Sequence, residues 1–206
     1  MAINLSTAGI HLYYAVDNAT YTLTSDTVIN SSKIYFTRSG SGTAGSPYVY
    51  TKVTNPVVGN IGTYYEITAT ARPTAASAYT DLKGVKSTPD FNPAPDTLET
   101  TTLNETEWKT YIDGLKDPGG ALEFNFNMSQ ELVTLWDTLM SAYSTGKASG
   151  KATWFLIDIP GLTEGFYFTG NPASMGLPPA EVSSVLEITN RITPTGAPVK
   201  AAKPTT

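Results

Sequence analysis

A chain of 206 residues without a cysteine has room for one domain with its own core and excludes disulfide staples and thiolate metal sites. Charged residues make up only 15% and the formal net charge is -5, so there is no basic footprint for gripping nucleic acid. Abundant Thr and Ser beside 40% hydrophobic residues suit β-structure with polar, uncharged faces.

The opening Met1-Ala2-Ile3-Asn4-Leu5 has neither the basic region nor the apolar run of a secretory signal, and no stretch approaches the ~20 apolar residues of a membrane span. The expectation is a chain that is soluble where it is made. A β-favouring run at Ile10–Val16 is followed by others at Lys33–Thr37, Tyr48–Val53 and Tyr64–Ala69, with segments such as Ser39-Gly40-Ser41-Gly42 between them. These read as short strands on flexible loops. Lys86 to Asp96 holds three prolines, which exclude regular helix or central strand and predict a long, stiff loop carrying Phe91.

From Gly120 to Met128 the chain alternates, with Leu122, Phe124, Phe126 and Met128 on one face and Glu123, Asn125 and Asn127 on the other. That is a strand with one wet face. Leu132, Val133, Leu135, Trp136, Leu139, Met140 and Tyr143 then recur at helical spacing. Ser129 is the expected N-cap, Glu131 suits the first turn, and Gly146 with Lys147 supplies the stop, giving a helix of about four turns. Lys151–Ile159 and Gly165–Thr169 flank Pro160-Gly161 and predict a hairpin; the last strand runs from Val182 to Ile192 and Pro194 ends it. Residues 197–206 read as a flexible C-terminal tail.

Chemistry is scarce. His11, the one histidine, sits in a strand where a structural role is the default, since a catalytic one needs partners. Gly146-Lys147-Ala148-Ser149-Gly150-Lys151 has one residue too few for a phosphate loop, Ala152 where Ser or Thr is required, and joins helix to strand in the wrong order. Asp90, Asp96, Glu99, Glu105 and Glu107 read as a solvated acidic face, and Trp108, Trp136 and Trp154 as core or sheet residues before a sugar or base platform. No catalytic constellation, metal set or cofactor motif emerges, and the expectation is a binding or structural protein, not an enzyme.

Lys86 to Leu103, KSTPDFNPAPDTLETTTL, resembles the major tail tube proteins of long-tailed, siphovirus-like bacteriophages. The likeness continues in order through Asn104–Asp117, Gly120–Glu123, the helix, Gly150–Phe155, Ile159–Leu162, Phe168–Pro172, Gly176–Pro178 and Glu181–Gly196. With the opening AINLSTAGI it covers roughly two thirds of the chain. The family has a much shorter link where this chain has Asp17 to about Thr70, so residues 1–196 read as one domain with an insertion at about 17–70. The resemblance implies a mainly β fold with one flanking α-helix, a β-sandwich or rolled barrel. It also implies homohexameric rings stacked head to tail into a conduit for DNA ejection. Its partners would then be other copies of itself, the tape measure, terminator and baseplate or tip proteins, and DNA in transient passage, with no membrane. The place would be the virion tail, after synthesis in the host cytoplasm.

Within that picture the proline-rich loop, Lys86, Pro89, Asp90, Phe91, Asn92, Pro93, Pro95 and Asp96, is expected to join stacked rings with Phe91 as its anchor, because prolines lower the entropy lost on docking. Glu99, Glu105, Glu123 and Glu187 are the candidate acidic lumen residues, and the 17–70 segment belongs on the outer surface. The competing reading is a β-sandwich adhesion or carbohydrate-binding module, favoured by the aromatic content and Thr-rich strands.

Overall fold

The computed structural model describes residues 9–43, 45–91, 95–102, 107–116, 120–179 and 185–205, with backbone alone at 95, 96 and 113–116. The described elements follow in order as β1 (His11–Val16), β2 (Asn18–Leu23), β3 (Phe36–Ser39), β4 (Val49–Lys52), β5 (Tyr65–Ala71), β6 (Thr80–Leu82), β7 (Val85–Ser87), β8 (Pro95–Glu99) and β9 (Tyr111–Lys116). They continue with β10 (Leu122–Asn127), α1 (Gln130–Ala148), β11 (Thr153–Asp158), β12 (Glu164–Pro172), β13 (Glu187–Pro194) and β14 (Val199–Ala202). The expected class, mainly β with one flanking helix, is what is found: an eight-stranded sheet curls into a half-barrel around the helix.

That sheet has the order β6-β1-β11-β12-β13-β10-β7, with β14 on β12. Its two end strands, β6 and β7, are halves of one segment joined through Lys83 and Gly84, so the chain leaves one edge and enters the other at a sharp bend. Gly84 sits at φ 83°, in the left-handed region that only glycine enters cheaply, and its carbonyl accepts from Asn127 N at 2.9 Å. Alternation then sets the core. Leu12 and Tyr14 of β1, Leu122, Phe124 and Phe126 of β10, Phe155 and Ile157 of β11, Phe168 of β12, and Ile188 and Ile192 of β13 form one buried cluster.

The helix completes that cluster with Leu132, Trp136 and Leu139, three positions of the apolar stripe read from the sequence. Trp136 lies edge-on to Phe126 and donates its Nε1 to Ala173 O at 3.0 Å, which satisfies the one polar atom that a buried indole carries. Ser129 accepts from Leu132 N at 3.1 Å as the N-cap. The helix outruns the expected stop: Gly146 is inside it and buried, because a Cβ there would stand 3.0 Å from Val16 Cγ1. Gly150, at φ 72°, is the residue that turns the chain out.

Residues 18–71 build a separate four-stranded sheet, β2-β5-β3-β4, in the segment expected from the sequence to be an insertion. Strand β2 was not among the expected runs, since Asn18-Ala19-Thr20-Tyr21-Thr22-Leu23 lacks a continuous apolar signal. Its entry point is fastened by Asp17, a buried carboxylate that accepts from Ala152 N at 2.9 Å and from Trp154 Nε1 at 2.5 Å. Trp154 is thereby a structural donor.

The C-terminal tail expected to be flexible is instead strand β14, paired with the first half of β12 from Glu164↔Ala202 to Tyr167↔Val199. It continues the line of β13 after a break at 195–198. Tyr167 donates to Ala202 O at 2.8 Å, Lys200 pairs with Glu164 at 2.8 Å, and Lys203 binds both Asp158 and Ile159 O. Composition concealed this because the unpaired edge of β12 supplies the backbone partners. Residues 203–205 and the 72–79 stretch then cover the outer face of β11 and β12, which is why Leu156 and Tyr167 are buried although they point away from the main cluster.

Because the Gly84 bend joins the two ends of the sheet, it should be intolerant of a side chain. An added Cβ would lie 3.1 Å from Asn127 O as well as forcing a left-handed residue. Gly84→Ala is expected to cost on the order of 1–3 kcal/mol, seen as a Tm several degrees lower. Gly176→Ala, where a Cβ meets nothing within 4 Å, should leave Tm unchanged. Equal melting of the two variants would show that the bend carries no strain.

Candidate functional site

On the solvent face of β7, β10 and β13, cross-strand register places polar residues opposite one another. Glu123 pairs with Arg191 at 2.8 Å, Lys86 with Glu187, Asn125 donates to Ser87 Oγ at 2.8 Å, and Thr189 donates to Asn125 Oδ1 at 2.6 Å. Two cations and two carboxylates are therefore paired along this polar face. Glu123 and Glu187 were expected to stand on a neutral to acidic wall; here each is paired with a cation. Glu99, on the ribbon described below, is likewise paired, with Lys109 at 3.0 Å, and Glu105 lies outside the described residues.

The proline-rich segment is shorter than a free loop of eleven residues. Lys86 belongs to edge strand β7, and Pro95 and Asp96 have their backbones in β8, Pro95 at the first strand position where its missing N–H is tolerated. Pro89 is half-buried and Asp90 exposed, while Asn92 and Pro93 lie outside the described residues. Phe91 does not project outward as the anchor it was expected to be. Its ring is half-buried and meets Phe168 of the same chain edge-on, with centroids 5.3 Å apart. The reason is local: the core below it is already aromatic, and an apolar ring next to Phe168 gains burial without waiting for a partner.

What does project is the two-stranded ribbon β8–β9, whose strands pair only with each other among the described residues. Leu98, Trp108, Tyr111 and Ile112 are all exposed, Trp108 to 82%. The alternation rule for one wet face had no purchase here, because the described side chains of both strands are exposed whichever face they stand on, and Trp108 was assigned to a sheet or core by default. An isolated ribbon of this kind is marginal in water, and clustered large apolar side chains at a surface mark an interaction site.

A second surface lies between the small sheet and the helix. Tyr21 and Tyr50 stack with centroids 3.9 Å apart, Phe36 meets Tyr21 edge-on at 5.0 Å, and Tyr50 meets Tyr65 edge-on. Opposite them stand Thr138, Ser141 and Thr145 of α1, and Lys52 and Lys151 flank the helix end. Lys52 donates to Ala148 O at 3.1 Å, a cation against the negative end of the helix, and Lys151 lies over the Tyr21 ring. The cleft so enclosed measures about 680 Å³, and no carboxylate lines it among the described residues.

No family model matches the chain, and no curated protein does. Among solved structures, a chain of the cryo-EM structure of the anti-feeding prophage (AFP) baseplate, 6-fold symmetrised, is similar. Its TM-score is 0.40 and its sequence identity 10%, over 60% of this chain and 84% of that one. Likeness at this level decides nothing about function.

The sites weighed for chemistry stay apart. His11 Nδ1 faces Asp81 Oδ2 at 3.0 Å on the surface, and among the described residues no group of three His, Asp or Glu is placed to hold a metal ion. Among the described residues no helix is long and apolar enough to cross a membrane. The Tyr13 hydroxyl is pushed up by burial and then by the charges of Asp81 and Asp158, which leaves it a poor acid at neutral pH. In the small sheet, hydrogen bonds from Lys33 and then Tyr35 hold the Asp26 carboxyl below the usual carboxylate range. Lys33 bridges Asp26 and Glu66, each at 2.9 Å.

Two expectations follow from these contacts. Phe91→Ala should destabilise the subunit itself by about 2 kcal/mol, less than for a fully buried ring; a melting curve identical to the parent would restore Phe91 to the outside. The lowered Asp26 pKa means its stabilisation is fully present above the ordinary carboxylate value and is lost as pH falls through the lowered one. Acid titration monitored by hydrogen exchange should loosen the small sheet, and Asp26→Asn should flatten that response. Persistence of the same acid transition in the variant would assign it to another group.

Proposed function

We propose that this protein is the structural subunit of a bacteriophage tail tube, assembling as hexameric rings stacked head to tail around a conduit for DNA ejection. The observation that carries the reading is the β8–β9 ribbon, which among the described residues holds four large apolar side chains in solvent and pairs with no other strand. Such a ribbon is stabilised by a neighbouring copy, and a contact between unlike surfaces propagates into rings and stacks. The ordered sequence resemblance, which begins at Lys86 and runs through this ribbon, supports the same subunit type. With Phe91 turned inward, stacking is assigned to the ribbon that follows the proline-rich loop.

The neutral ladder of Glu123, Arg191, Lys86 and Glu187 suits a wall past which a polyanion slides, because paired charges offer no counterion-releasing cations to hold phosphate. The tape measure, terminator and baseplate or tip proteins would be its further partners, and the virion its place. No catalytic role or cofactor is part of the reading. The second reading, an adhesion or carbohydrate-binding module, has one observation in its favour, the aromatic wall of Tyr21 and Tyr50 beside the hydroxyls of α1.

Sedimentation at moderate salt over a wide concentration range, with negative-stain microscopy of the same samples, separates the two. Rings or tubes are expected. Monomer at every concentration would exclude the tube subunit and leave the binding module.

A further inference from the structure

We infer that the cleft between the small sheet and α1 receives the Trp108 end of the β8–β9 ribbon from a second copy of this chain. The inference rests on the self-assembly reading and names the contact that would propagate it. Trp108 is the most exposed aromatic ring on the ribbon, and Glu107 beside it is also exposed. The cleft offers what each requires. Its wall of Tyr21 and Tyr50, part-exposed above the buried Phe36, is an aromatic surface against which an indole packs, and its volume of about 680 Å³ exceeds the space one indole fills.

Charge points the same way. In a chain of net charge -5, this cleft is lined by Lys52 and Lys151 with no carboxylate among the described lining residues. Both ammonium groups are held in place, one on Ala148 O and one over Tyr21, so neither must be ordered when an acidic segment arrives. The ribbon pairs with no other strand of its own chain among the described residues, and the occupant is a separate molecule. Knob and hole are different surfaces, so the contact is heterologous: each copy gives a ribbon to one neighbour and takes one from another.

The absence of native cysteine makes the test clean. Lys109→Cys, which keeps the Trp108 ring, and Thr145→Cys are made as separate chains, with Ser141→Cys as the alternative cleft position should Thr145→Cys melt below the parent. Mixed, assembled and oxidised, the two chains should yield a covalent dimer of unlike chains, absent from either alone. In addition, Lys151→Glu should raise the concentration needed for assembly on the order of tenfold, and Glu107→Lys in the same chain should restore it. Dimers of Lys109→Cys alone, a crosslink within one doubly substituted monomer, or assembly without the mixed crosslink would each overturn the docking while leaving tube formation intact. Failure of the parent protein to assemble under any condition would overturn both.

Discussion

The turn at Lys83 and Gly84 is the constraint on which the half-barrel depends. One short segment supplies both end strands of the sheet, β6 on β1 and β7 on β10, so the curl is set by covalent connection as well as by packing. A sheet bent this way encloses a volume that side chains must fill, and Phe124, Phe126, Phe155 and Phe168 fill it, each fully buried. Phe155 and Phe168 stack at 5.3 Å while Trp136 comes in edge-on against Phe126. Burial on this scale contributes on the order of 2–3 kcal/mol per aromatic side chain. It also fixes where the helix lies, because α1 can bury its stripe only against those rings.

From that body two parts stand out, and they differ in how they are held. The small sheet has its own interior, with Tyr35, Phe36 and Tyr64 buried, an ion-pair cluster around Lys33, and an anchor at Asp17. The β8–β9 ribbon has none of these. Its described side chains are exposed, and its cross-strand ion pair of Glu99 with Lys109 is exposed too, a kind of pair that contributes little. The chain thus concentrates its aromatic core in the half-barrel and leaves Leu98, Trp108, Tyr111 and Ile112 of the ribbon in solvent, as it does Val57, Val58 and Leu177 elsewhere.

The polar face of β7, β10 and β13 gains a different character from pairing. Read singly, Glu123 and Glu187 are acids and Arg191 and Lys86 are bases; read across the register, they neutralise each other within a few ångströms. A surface built this way is wet and hydrogen-bonded, and each of its four charges has an opposite partner.

The strict alternation from Leu122 to Asn127, the stripe from Leu132 to Met140 with Ser129 before it, and the Pro160-Gly161 turn were legible in the sequence by itself. Their periodicities reflect local geometry that no distant residue has to supply. The mainly β class with one helix followed from them. Only the tertiary structure decided the rest. Phe91 turned inward because Phe168 offered a place to bury it; residues 199–202 became a strand because β12 had an open edge; and Gly146 stayed in the helix because Val16 packs against it. The acids of the wet face met partners 68 and 101 residues away in the chain, and Trp108 was left in solvent beside a ribbon whose described strands pair only with each other. Each of these outcomes depends on what another part of the chain brings alongside, and spacing along one segment does not encode that.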